Sequence, residues 1–406
     1  TRTSSSAASD VYKRQDLTGT QKKSLDYFLE NGFPTTKDED WKYTSLKKVL
    51  KRKYCLQSSD FELNDEIIQQ YSLGFKDKII FKNGKIYSEP KILGVSIKKT
   101  RDLCMPKNSA LCYLNEAICE NTYEIIFDKN LNIDNPIEIL HFINNDNDYF
   151  LQLRTKITCS PGSNVKLVER FCNLGKNTLI NSCMYADVKR NGFFEISKLQ
   201  SYNDNTYTID NTLVDQDRDS TANVHTFSFD GSFIRNNLNF YQNNENCTSN
   251  MNGITIIDKS NFVDHHTFVD HKFQNCLSNE SYKGVYFDNT KGVFNGKIMV
   301  RPDAQKINAF QSNNNLLFSD SASVKTKPQL EIYADDVKCS HGCTIGQIDK
   351  KSLFYMKSRG FSEKTAKGLL TFAFLIEVIE KLNTKELVDY AKTEIAKKLS
   401  IEKDLL

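Results

Sequence analysis

Between Tyr123 and Tyr333 more than two hundred residues pass without one convincing apolar period of 3.6. The chain offers short alternating runs instead, such as Tyr123-Glu124-Ile125-Ile126-Phe127, Phe150-Leu151-Gln152-Leu153-Arg154 and Asn164-Val165-Lys166-Leu167-Val168, set apart by Asn, Asp, Gly and Ser clusters. Alternation at period two is what a strand with one covered face requires. The stretch therefore reads as all-β: a sandwich, a barrel or a stacked solenoid. Its length and the steady return of Asn-rich turns favour a β-helix, in which each coil buries its inward residues against its neighbours. No clean repeat unit is visible, so periodicity alone gives this preference little weight.

Helical spacing appears on both sides. Leu25, Phe28 and Leu29 predict a helix over 18–30 that Asn31-Gly32 stops. A second helical stretch is predicted after Trp41, with Leu46, Val49 and Leu50 on one face. Asn83-Gly84 between two β-prone runs predicts a hairpin over 79–87. Near the C-terminus, Leu353, Phe354 and Met356 precede Gly360, a C′ stop, and Ser362 is the N-cap of the next helix. The apolar band from Ala366 to Ile379 is broader than a solvated helix needs, so the β domain or another protein is expected to cover both its sides. Glu386 to Leu399 forms a third helix. The resulting division is 16–104, an N-terminal helical region with a hairpin; 105–348, the β-helix core; and 349–406, a C-terminal helical region for partner binding. Residues 1–15 stand apart, because Ser5 to Gln15 looks like the in-frame translation of a sequencing adapter. They contain no apolar h-region and so are no signal peptide, and the adapter likeness leads to the expectation that the natural N-terminus and any targeting signal are missing.

Charge and motif absences narrow the function. Lys and Arg number 54 against 51 Asp and Glu, a net charge of +3 that argues against a nucleic-acid binder. No stretch approaches the ~20 consecutive apolar residues of a membrane helix, and a soluble protein is expected. Eleven cysteines, scattered and never in C-x-x-C spacing, point to a reducing compartment and exclude zinc ribbons and ferredoxin-type runs. Gly84-Lys85, Gly175-Lys176 and Gly296-Lys297 are followed by Ile, Asn and Ile, so there is no phosphate loop; G-x-G-x-x-G, G-x-S-x-G and H-E-x-x-H are also absent.

Two clusters remain. In Asp264-His265-His266 with Asp270-His271, an extended backbone sends His265 and His271 to one face and His266 to the other. Hydrogen-bonded histidines along a β ladder are the favoured reading over a metal site. In Cys339-Ser340-His341-Gly342-Cys343 the two thiols and the imidazole share one face, and sulfur with imidazole suits iron and iron-sulfur species. Three ligands fall short of the usual four, so such a site needs a partner chain to complete it. Buried cysteines beside a histidine are the plain alternative.

The run from Lys327 to Gly342, followed by Thr344-Ile345-Gly346-Gln347 and Leu353 to Gly360, closely resembles the SufD branch of the SufB/SufD family of iron-sulfur assembly proteins. Ser278-Asn279-Glu280 with Tyr282-Lys283-Gly284, Gly292 to Lys297, Arg301 to Gln305 and Asp40-Trp41-Lys42-Tyr43-Thr44 add to the likeness. The resemblance implies a right-handed parallel β-helix flanked by helical ends, a non-catalytic scaffold in the cytoplasm or an organellar stroma. It implies a heterodimer with a SufB-like paralogue and a SufC-like ATPase that hydrolyses the ATP. No cofactor is expected to stay on the chain alone. Cys339 and His341 match family positions at the SufB interface, where iron or a nascent cluster would be held transiently. Cys343 stands where relatives carry a small residue; it is disfavoured as a third ligand and expected to fill a small space in the last coil. The C-terminal region, with Phe354, Tyr355, Arg359, Gly360, Leu370 and Phe374, is read as the dock for the ATPase, against the alternative of a cap on the open end of the β-helix. An exported β-helix enzyme acting on polysaccharide is the rival from another class.

Overall fold

Nineteen strands carry the centre of the chain in the computed structural model, which describes residues 17–100, 106, 107 and 109–402. The adapter-like start and Cys104 lie outside the described residues. In chain order the strands are β1 (Lys78–Lys82), β2 (Lys85–Ser88), β3 (Val95–Thr100), β4 (Thr122–Phe127), β5 (Ile137–Ile143), β6 (Tyr149–Cys159), β7 (Asn164–Asn173), β8 (Thr178–Val188), β9 (Phe193–Ser201) and β10 (Thr206–Gln216). They continue with β11 (Thr221–Asp230), β12 (Phe233–Gln242), β13 (Thr248–Ile257), β14 (Phe262–His271), β15 (Leu277–Tyr286), β16 (Lys291–Val300), β17 (Ile307–Leu317), β18 (Ser323–Ile332) and β19 (Val337–Gly346). The helices are α1 (Gly19–Asn31), α2 (Asp65–Tyr71), α3 (Ala110–Ile118), α4 (Lys350–Ser358), α5 (Glu363–Ile379) and α6 (Lys385–Leu399).

From β5 to β19 the odd strands pair in parallel into one sheet, which β1 and β2 complete; the even strands from β4 to β18, with β3, form the other. The chain alternates between the two sheets and makes a parallel β-helix of about eight turns. Register partners Phe193–Thr221, Thr221–Thr248, Thr248–Leu277 and Leu277–Asn308 are offset by 28, 27, 29 and 31 residues. This drift hides the repeat from a fixed-period search, because each turn absorbs its own number of residues. Asn191, Asp219, Asn246 and Asn275 take φ near +60° at successive turns, which explains the Asn-rich texture: short polar side chains tolerate the left-handed region.

The core lies between the sheets, where inward residues such as Leu167, Ile196, Val224 and Met251 stack coil upon coil. The helices cover the outside. α1 and α3 pack on the outer face of the even sheet through Leu25, Phe28, Leu111 and Leu114 against Phe150, Leu179, Ile209 and Phe233. α5 and α6 pack on the outer face of the odd sheet, with Leu375, Val378, Leu387 and Ile395 against Leu199, Phe227, Ile254 and Val285. They lie along the flank and not over the open end, contrary to the capping alternative.

Local signals act as expected at several ends. Gly32 ends α1 at φ +72° and Asn83-Gly84 turns the β1–β2 hairpin, while the structure adds a cap not read from the sequence, Thr18 in a reciprocal box with Gln21 at the start of α1. Ser362 caps α5, and Gly360 follows α4 at φ +93°. The helix predicted after Trp41 does not form. Leu46 and Val49 are buried as expected, but only two short 3₁₀ turns occur, Glu39–Trp41 and Val49–Lys51. Side-chain anchors to the even sheet hold this segment instead: Trp41 lies over the Arg235 guanidinium at 4.3 Å, and Thr44 bonds the Asp264 carboxylate.

Candidate functional site at the end of the β-helix

β19 pairs with β17 along one edge and, among the described residues, with nothing along the other. Cys339, His341 and Cys343 stand opposite Ala309, Gln311 and Asn313, so all three share the inward face of the last coil, as the alternation predicts. Cys339 is half-buried and packs against the cluster of Val300, Ala304, Ile307 and Ala309. Burial pushes its thiol above the ordinary range, and a hydrogen bond with the Ala309 backbone pulls the other way. His341 and Cys343 are exposed. The exposure of Cys343 corrects the expectation that it fills a space in the coil: among the described residues no further coil lies above it to bury it.

Spacing separates these side chains into a near pair and a far one. β19 stays extended through Gly342, so Cys339 and His341 are about 6.6 Å apart along the strand, close enough to converge on one ion. Cys339 and Cys343 are about 13 Å apart, too far for one ion with a Zn–S or Fe–S bond near ~2.3 Å on each side. Among the described residues no three His, Cys, Asp or Glu side chains form a group that could hold a metal ion. The surrounding surface is apolar for an exposed one, with Phe310, Ile332, Tyr333 and Ile345 open to solvent near the two strand edges.

The histidines of β14 divide as their alternation requires. His265 faces the interior, with Nδ1 3.2 Å from Asn236 and Nε2 2.9 Å from Thr255 Oγ1; burial pulls it down to about 4. His271 is buried too, with Nε2 2.9 Å from Ser278. His266 faces outward and sits 3.2 Å from Asp264. Burial alone would raise the Asp264 carboxyl, but Arg235 and then His266 hold it well below the usual range. That cluster is where Trp41 and Thr44 are anchored.

The residues read as an ATPase dock fall into two groups. Phe354 and Tyr355 on α4 are 74% and 57% exposed, and Arg359 and Gly360 beside them are exposed. Leu370 and Phe374 on α5 are half-buried, and the Lys283 ammonium donates to the Phe374 carbonyl at 2.7 Å.

With this geometry in place, the likeness to known proteins is decisive. Residues 141–374 match the family described as SUF system FeS cluster assembly, SufBD core domain, and residues 7–74 match the SufBD protein N-terminal region. The chain belongs to the SufB/SufD family. Within that family it is SufD-like, being 28% identical over 387 residues to the iron-sulfur cluster assembly protein SufD of Escherichia coli, across 92% of this chain and 91% of that protein. The SufD of Bacillus subtilis is 34% identical over 99 residues, 24% of this chain and 23% of its own length. The chloroplastic protein ABCI7 of Arabidopsis thaliana is 27% identical over 272 residues, 65% of this chain and 57% of that one. The SufBD core match runs from β5 into α5 and so contains the whole of β19. No helix among the described residues is long and apolar enough to cross a membrane. Two residues behind His341, Glu280 and Gln311, escape any reading of the sequence for sites, since only the register of β15, β17 and β19 brings them into line.

Proposed function

We propose that this chain is the SufD-type, non-catalytic subunit of an iron-sulfur assembly complex in the cytoplasm or an organellar stroma. The open end at β18 and β19 pairs with a SufB-like paralogue, and Cys339 and His341 contribute a thiolate and an imidazole to iron or a nascent cluster held transiently between the two chains. The iron-sulfur unit is cargo, and the ligands missing here are the paralogue's. The exposed face of α4, with Phe354, Tyr355, Arg359 and Gly360 and with Leu370 and Phe374 behind it on α5, receives a SufC-like ATPase that supplies the hydrolysis this chain has no phosphate loop to perform.

The observation that carries the reading is β19 itself. A long, unpaired edge beside exposed aromatic and aliphatic side chains is a liability that folded proteins cover. Here that edge bears a thiol and an imidazole spaced to converge on a single ion. The test is co-expression with a SufB-like and a SufC-like protein, followed by iron and sulfide analysis of the purified complex. His341→Ala should leave the complex assembled and lower its cluster content; normal content in that variant would overturn the ligand role.

A further inference from the structure

A polar side chain in an inward row of a β-helix meets its register partners and no water, so it needs a partner there. The row ending at His341 turns polar only over its last three strands. Ile137, Leu167, Ile196, Val224 and Met251 fill it through β13, and then Glu280, Gln311 and His341 follow on β15, β17 and β19.

Glu280 and Gln311 are 3% exposed, and Glu280 forms no ion pair among the described residues. Its Oε2 accepts from Thr267 Oγ1 at 2.7 Å and from Gln311 Nε2 at 3.0 Å, while its Oε1 has no partner. Burial pushes this carboxyl up to about 7, against the pull of the two donors. An acid buried without a cation costs stability and adds nothing to packing that a leucine would not. Gln311 has a matching peculiarity: its Nε2 is used, and its buried Oε1 accepts from nothing. A Cβ on Gly296 would collide with the Gln311 amide, so the glycine keeps the space in which that amide sits. The next side chain along the row, one strand spacing away, is His341.

We propose that Gln311, held in orientation by Glu280, is a positioning residue for His341. Its orphaned Oε1 accepts the imidazole N–H, fixing the ring and its tautomer so that the other ring nitrogen looks out of the open end. Ligating histidines commonly give their second ring N–H to an acceptor in this way. Glu280 acts on Gln311 alone, turning the amide so that oxygen and not nitrogen faces the ring. The inference deepens the ligand role proposed for His341, yet it concerns only how the ring is held before any iron arrives.

The test uses the full chain without iron, labelled with ¹⁵N-histidine, in mildly alkaline buffer where an unperturbed imidazole is neutral. Long-range proton–nitrogen spectra read the tautomer of each ring, and His341→Ala identifies its signal. One hydrogen bond of ordinary net strength shifts the tautomer ratio about five-fold. Gln311→Leu should remove that bias, and Glu280→Gln, whose side-chain carbonyl can still accept from Gln311 Nε2, should retain it. Gln311→Asn keeps an amide but withdraws it by one methylene, so it serves if the leucine variant does not fold. A His341 signal unchanged in both Gln311 variants would overturn the inference. The two proposals fail separately: cluster content of the His341→Ala complex judges the ligand role, and the tautomer of the iron-free chain judges the positioning.

Discussion

Lys198→Met puts the interior of the β-helix to a quantitative test. Lys198 projects from β9 into the core, 4% exposed, with Nζ 2.8 Å from Glu169 Oε2 and 2.7 Å from Asp210 Oδ2. His141 Nε2 lies 3.5 Å from the other Glu169 oxygen. Burial alone would raise Glu169, but Lys198 and then His141 hold it down at about 2. Asp210 is raised, burial outweighing its share of the same ammonium. Each charge-assisted bond contributes ~1.5–3 kcal/mol, and breaking a buried ion pair by removing one partner typically costs ~3–5 kcal/mol. Methionine fills nearly the same volume, so that loss of ~3–5 kcal/mol is electrostatic and not a cavity effect.

The sign with pH follows from the same groups. In the native chain the depressed Glu169 contributes stability above its unfolded value, ~4.3, and loses it as pH falls toward about 2. Without Lys198 only the Thr212 hydroxyl, 3.5 Å away, offsets the burial of Asp210, and only His141 remains beside Glu169. Carboxyls raised on folding lend stability below their unfolded values and lose it as pH rises, so the variant's deficit should be larger near pH ~7 than near pH ~5. Urea unfolding of both proteins at the two pH values measures this. A deficit under ~1 kcal/mol, or one equal at both, would refute the reasoning, since either means the carboxylates find other compensation.

Three further outcomes are expected. Cys343→Ala should leave both thermal stability and the cluster content of the co-expressed complex unchanged, because its thiol is exposed and about 13 Å along the strand from Cys339; a loss equal to that of Cys339→Ala would make it a ligand. Phe354→Ala with Tyr355→Ala should not shift the melting temperature, since both rings face solvent, but should reduce recovery of a SufC-like ATPase in pull-down, and full recovery would place the dock elsewhere. Trp41→Ala removes a buried ring and the stacking partner of Arg235, so urea unfolding should show a loss of ~3–5 kcal/mol; a loss below ~1 kcal/mol would mean that the segment is not anchored there.

What the sequence determined by itself is everything that depends on a few consecutive residues. The period-two texture of 123–333, the Asn83-Gly84 hairpin and the caps at Gly360 and Ser362 follow from backbone preferences that operate within one or two turns of chain. So does the shared face of Cys339, His341 and Cys343, because alternation of side chains is a local property of an extended strand. The tertiary structure decided what depends on residues about thirty positions apart. Offsets of 27 to 31 between register partners set which side chains stack, and a slip of one residue would turn every inward group outward. Only that register lines up Met251, Glu280, Gln311 and His341, leaves Cys343 exposed and sets α5 and α6 on the flank and not over the end. The segment after Trp41 shows the same division: its apolar residues are buried as their pattern demands, but Arg235 and Asp264, some two hundred residues away, hold it in place without a helix.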